Sequence, residues 1–154
     1  MKKRTGGFAP SWNRGGPLLK TQPWKMRAVF GPLEAIVDQL EDEGTINTSA
    51  DGTPMFRDQA DGVWYCTVSA LTGIYEAYEI HERRHRRNLN LEPLRRLAHK
   101  LQQGELIDDT DTRDVRSCIG RLRMETLQMT ADYAKELVSD FQIKEALESL
   151  QEPA

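Results

Sequence analysis

The sequence predicts a mainly α protein: a helical domain with a small β-ribbon inserted after the first helix and a flexible basic arm at the amino terminus. Three observations carry this. Apolar residues recur at three- and four-residue steps over most of positions 26–150, the period of an amphipathic helix. Between 45 and 66 that period is lost, and Asp51-Gly52 and Asp61-Gly62 supply hairpin signals, because both residue types tolerate positive φ. The first 23 residues combine Gly6, Gly7, Gly15 and Gly16, which raise unfolded-chain entropy, with Pro10, Pro17 and Pro23, which stop helices. With 38% apolar residues, the 154-residue chain has material for one core, placed at 24–154, behind an arm at 1–23.

The first helix is expected over Met26–Glu43, with Val29, Leu33, Ile36, Val37 and Leu40 on one face and Gly44 as a left-handed stop. Pro32 places the start at Gly31 or kinks the helix. The acids Glu41, Asp42 and Glu43 stand at a carboxyl end, where the helix dipole disfavours them, which hints at a basic group nearby. Short strands follow near 45–49, 54–58 and 63–66, with Trp64 expected in the core beneath the ribbon.

A second helix is expected from Thr67, as its cap, to about Arg87, with Val68, Leu71, Ile74, Tyr75 and Tyr78 as its apolar face. The third begins at Asn90 as cap, carries Leu91, Leu94, Leu97 and Leu101, and stops at Gly104. From about Asp109 to Leu150 helical periodicity is continuous through Val115, Ile119, Leu122, Thr126, Met129, Tyr133, Leu137 and Phe141. An unbroken helix of that extent would span roughly 60 Å, longer than a globule of this size, so it must break or protrude and pair. Ser139 and Gln142 form a capping-box pattern that favours a break at 138–140, with Gly120 as the second candidate, and protrusion would make the carboxyl-terminal helix a homodimer contact.

Charge is strongly segregated along the chain. Seven of the 21 basic residues (Lys2, Lys3, Arg4, Arg14, Lys20, Lys25 and Arg27) fall in the first 27 positions, which contain no acid. The rest of the chain carries 14 bases against 24 acids. A cationic arm on an anionic body marks a docking segment for a negatively charged partner, a nucleic acid or an acidic protein surface. Phe8, Trp12 and Trp24 are interleaved with these cations, either as anchors folding back on the body or as groups that order on a partner. A second basic cluster, Arg83, Arg84, Arg86 and Arg87, ends the second helix, and Arg95 and Arg96 follow on the third. No run of 18 apolar residues and no signal-peptide pattern occurs, and Cys66 and Cys118 lack metal or disulfide spacing, so no membrane partner is expected and the chain reads as soluble and cytoplasmic.

One string resembles catalytic chemistry. His81-Glu82-Arg83-Arg84-His85 matches the H-E-x-x-H pattern of zinc metallopeptidases, in which two imidazoles on one helix face hold zinc and the glutamate acts as base. Glu105, twenty residues on, stands at a spacing similar to that of the third ligand in thermolysin-like enzymes. The intervening residues are both arginine, with Arg86 and Arg87 next, and four guanidinium groups within one and a half turns oppose a divalent cation and favour an anion. The histidines then read as an extension of the apolar face, and no metal, cofactor or catalytic residue is assigned. The sequence-level expectation is a non-enzymatic regulator or accessory factor contacting nucleic acid or a nucleoprotein complex. Its contacts are Lys2, Lys3, Arg4, Trp12, Arg14, Lys20, Trp24 and Lys25, together with Arg83, Arg84, Arg86, Arg87, Arg95 and Arg96. The alternatives are a protein-binding adaptor acting through its acidic body and, after that, a zinc hydrolase built on His81 and His85.

Overall fold

The computed structural model describes residues 16–57 and 62–138, and they form a mainly helical body with a three-stranded antiparallel sheet after the first helix. The arm residues Lys2, Lys3, Arg4, Trp12 and Arg14, and the 139–142 capping pattern, lie outside the described residues.

Helix α1 spans Pro23–Glu43. It starts three residues before the expected Met26 because Pro23 fits the first helical position, where no N–H is needed. Pro32 therefore lies inside the helix, where its ring leaves the Ala28 carbonyl without its i+4 donor. Met26, Phe30, Leu33, Ile36, Val37 and Leu40 form the buried face, and Val29, expected on it, is exposed. Gly44 closes the helix at φ 72°, donating its N–H to the Leu40 carbonyl at 2.9 Å. The acidic end does meet a basic group: Arg116 pairs with Asp38 and, at 2.7 Å, with Glu41.

The sheet consists of β1 (Asn47–Thr48), β2 (Pro54–Arg57) and β3 (Trp64–Cys66), in that order. The Asp51-Gly52 turn forms as expected, with Gly52 at φ 89° and Asp51 Oδ1 accepting from the Ser49 hydroxyl and from the Thr53 N–H and hydroxyl. Those bonds hold the Asp51 carboxyl down at about 2. Register pairs Phe56 with Tyr65 and Arg57 with Trp64. The ribbon's core residue is Phe56, while Trp64 is 48% exposed, so the expectation that Trp64 is buried is corrected: it pairs with Arg57 at the end of the ladder.

Helix α2 spans Thr67–His85, with Cys66 rather than Thr67 at the cap position. Helix α3 spans Glu92–Gln103 and buries Leu94, Leu97, Ala98 and Leu101 before Gly104 stops it at φ 69°. Asn90 does not cap it. It sits at φ 52°, and its carbonyl accepts from Arg121 at 3.0 Å. Helix α4 spans Asp109–Leu127 and opens on a reciprocal capping box between Asp108 and Asp111. Lys100 reaches Asp111 at 2.8 Å and ties α3 to that start. Helices α1 and α3 pack on α4, and α2 packs on α3.

The long helical stretch breaks at 128–130, earlier than the 138–140 site and away from Gly120, and helix resumes over 131–138. Two contacts set the position. The Thr130 hydroxyl accepts the Tyr133 N–H at 3.1 Å, an N-cap bond. The amino-terminal segment also inserts there: Leu18 bridges Thr130, Leu19 donates to the Met129 carbonyl at 2.8 Å, and Pro17 accepts from Ala131 at 3.1 Å. Leu19, in a 3-10 turn over Leu19–Thr21, is buried, so packed structure begins before residue 24. Among the described residues no helix is long and apolar enough to cross a membrane.

Candidate functional site

The most elaborate polar cluster lies where the carboxyl end of α2 meets α4 and the 131–138 helix. His81 is fully buried. Its Nε2 stands 2.7 Å from Glu125 Oε2 and its Nδ1 2.7 Å from the Tyr133 hydroxyl. Arg87 grips both oxygens of Glu125 at 2.7 Å, a bidentate pair. Burial pushes the Glu125 carboxyl up, but the hydrogen bonds from Arg87 and His81 outweigh it, and the net direction is down. An ionised Glu125 can only accept, so His81 donates through Nε2–H, and its Nδ1 accepts the Tyr133 O–H. The ring of His85 lies 5.2 Å from that of His81 and edge-on to Tyr133 at 5.5 Å.

The H-E-x-x-H string is thereby committed to internal contacts. Both His81 nitrogens have protein partners, and Glu82 turns away to accept the Leu89 N–H at 2.7 Å, securing the loop after α2. Glu105 lies near His99, at 3.7 Å, rather than near His81. Among the described residues no group of three or more His, Cys, Asp or Glu is arranged to hold a metal ion. Both cysteines are free thiols.

Burial lowers the affinity of both His81 and His85 for protons, and for His85 the neighbouring His81 and Arg84 add to it. A histidine held neutral in the fold binds fewer protons there than in the unfolded chain, whose value is about 6.5. Unfolding therefore takes up protons, and stability is expected to fall as pH drops below about 6.5 and to level off below the depressed folded values. Urea midpoints at pH 7.5 and 5.0 check this, and a midpoint that did not fall would contradict neutral histidines.

Arginine-rich though it is, this end of the molecule is largely neutralised from within. Arg87 holds Glu125, Arg84 lies 3.7 Å from Glu136, Arg95 contacts Glu79 and Glu92, and Arg96 lies 3.5 Å from Asp114. Arg83 and Arg86 are exposed and make no ion pair among the described residues. Four of the six arginines expected as contacts are thus already in ion pairs among the described residues.

The start of α1 presents the opposite picture. Lys20, Lys25 and Arg27 are exposed without an ion pair among the described residues, and Trp24 among them is 57% exposed rather than folded back. No acid stands in the first helical turn. A separate apolar cavity of about 350 Å³ opens between α1, α2 and the 131–138 helix, lined in part by Val29, Ile74, Ala77, Tyr78, Leu137 and Val138.

The sequence pattern did not disclose Glu125 or the role of Tyr133. Tyr133 sits on the apolar line of the last helices, and Glu125 lies three residues after Leu122 and four before Met129, a carboxylate inside a buried stripe. That placement is the available signal, since a buried acid demands a donor. Comparison with protein-family models, curated proteins and solved structures gives no match.

Proposed function

We propose that the protein is a small non-enzymatic accessory factor that contacts nucleic acid or a nucleoprotein assembly through its basic amino-terminal segment. The observation that supports it best is the division between satisfied and unsatisfied charge. Arginines of the body are mostly engaged by carboxylates of the body, whereas Lys20, Lys25 and Arg27 have no such partner among the described residues. Cations without internal partners are available to phosphates. Arg83 and Arg86 are the secondary contact in this reading. His81 and Glu125, sealed from solvent and bonded to one another, serve the fold in it rather than a reaction.

The test is salt dependence. Each neutralised phosphate releases counterion, so four contacts give a slope of log affinity against log salt of about −3. Replacing Lys2, Lys3, Arg4 and Arg14 by alanine is expected to flatten that slope, and Arg83→Ala with Arg86→Ala to flatten it by less. Absence of binding to any nucleic acid at about 50 mM salt, where such contacts are strongest, would refute the proposal. It would leave a second reading, a protein-binding adaptor, which the apolar cavity and its exposed rim residues Val29 and Val138 favour.

A further inference from the structure

We propose that Trp24, with Arg27 and Lys20 beside it, is a stacking platform for an unpaired base, so that the nucleic acid recognised is single-stranded. This rests on the nucleic-acid reading above and narrows it.

The geometry is built on one face of α1. Trp24, Arg27 and Gly31 follow at three- and four-residue steps, which places them in line along the helix. Arg27 and Gly31 line a cleft of about 360 Å³ that also includes Lys20, Glu34, Arg123 and Leu127. Open space lies over Gly31, where a Cβ would have no atom within 4 Å. The carboxylate in the cleft, Glu34, is held by Arg123 at 2.6 Å, and Arg123 in turn lies over the Phe30 ring, 5.2 Å from its centroid. Among the described residues, Lys20 and Arg27 in this cleft remain without an ion pair. The surface therefore combines an exposed indole with a cationic cleft whose lining residue Arg27 stands one helical turn from it.

Two features point to an anion with an aromatic part. The cations gather at the amino end of α1, where the helix dipole is already positive and where no acid relieves it. They are thus placed against the local field, and a bound anion removes that disadvantage. The indole is a large apolar group kept in water by a fold that buries Phe30 two turns further on. A carboxylate-bearing peptide would use the cations but gain little from the ring face. A nucleotide uses both, its phosphate on Lys20 and Arg27 and its base on Trp24. In a duplex the bases are already stacked and paired, so a convex helix surface reaches phosphates only, and the contribution of the indole is lost. Stacking on one aromatic contributes a gain that depends little on which base is present, so the preference is for strandedness rather than sequence.

The experiment uses the full chain and two fluorescein-labelled probes, an oligothymidine and the duplex it forms with its complement, read by anisotropy at about 100 mM salt. The single strand is expected to bind at least about five-fold more tightly than the duplex, and Trp24→Ala to remove most of that preference. Trp24→Phe is expected to restore part of it. Because the indole carries no charge, Trp24→Ala should leave the salt slope unchanged, whereas Arg27→Ala should reduce it by about 1. Trp24 is exposed, and an unchanged thermal midpoint in the alanine variant confirms that the fold is intact. Equal binding of both probes, or a Trp24→Ala effect that is the same on both, overturns the platform and leaves the broader nucleic-acid proposal standing. Failure of both probes to bind overturns both proposals, and binding of the duplex alone overturns the platform.

Discussion

Replacing Glu125 with alanine is expected to lower the unfolding free energy by about 3 kcal/mol, the largest effect of any polar substitution in the body. Glu125 is buried and accepts from three donors, two on Arg87 and one on His81. Removing it leaves the His81 Nε2–H buried without an acceptor, and an orphaned buried donor alone costs about 1–3 kcal/mol. Arg87 is half exposed and recovers water, which keeps its share small. The effect should reach further than the site, because His81 also receives the Tyr133 O–H and so links α4 to the 131–138 helix through α2. Glu125→Gln tests the account. It keeps the shape and an acceptor oxygen but loses the charge that Arg87 grips, and it should recover part of the loss. Chemical denaturation of both variants near pH 7.5 is the measurement, and an alanine variant within about 0.5 kcal/mol of the parent would show that the cluster does not hold the fold.

Phe30→Ala is expected to cost about 3–5 kcal/mol. The side chain is 1% exposed in the middle of α1, between Met26 and Leu33 on the buried face, and Arg123 covers its ring. Truncation removes the transfer gain of the ring and leaves a cavity that helices joined on several sides close only in part. It also takes the support from beneath Arg123, which holds Glu34 at 2.6 Å. Phe30→Leu should cost much less, since most of the volume stays. The readout is the urea midpoint, and a loss below about 1 kcal/mol for the alanine variant would show that α1 repacks there.

The parts of the fold legible in the sequence are those decided by near neighbours. Gly44 and Gly104 adopt the left-handed conformation that ends a helix, the Asp51-Gly52 turn forms, and the leucine stripe of α3 is buried, because each depends on a few adjacent residues. Where tertiary contact decides, the pattern was silent. Trp64 looks like core by its size, yet the register that pairs it with Arg57 puts it outside. The last helical stretch shows no strong breaker at 128–130, and its interruption depends on Leu18 and Leu19, more than 100 positions earlier. The basic cluster after Glu82 reads as a free surface because its partners are remote: Glu125 is 38 positions from Arg87, and 44 from His81. Arginine content alone could not show which charges were already spent.

The short clasp between residues 17–19 and 129–131 joins the two ends of the described body. A contact across so much chain closes a large loop and is entropically among the last to be recovered once lost. Opening it releases the root of the basic segment and the start of the 131–138 helix together, since the same few backbone bonds hold both. The two ends of the described body are therefore not independent. Whatever draws on the amino-terminal segment is felt at the carboxyl-terminal helix, and a partner that rigidifies one end shares its ordering free energy with the other.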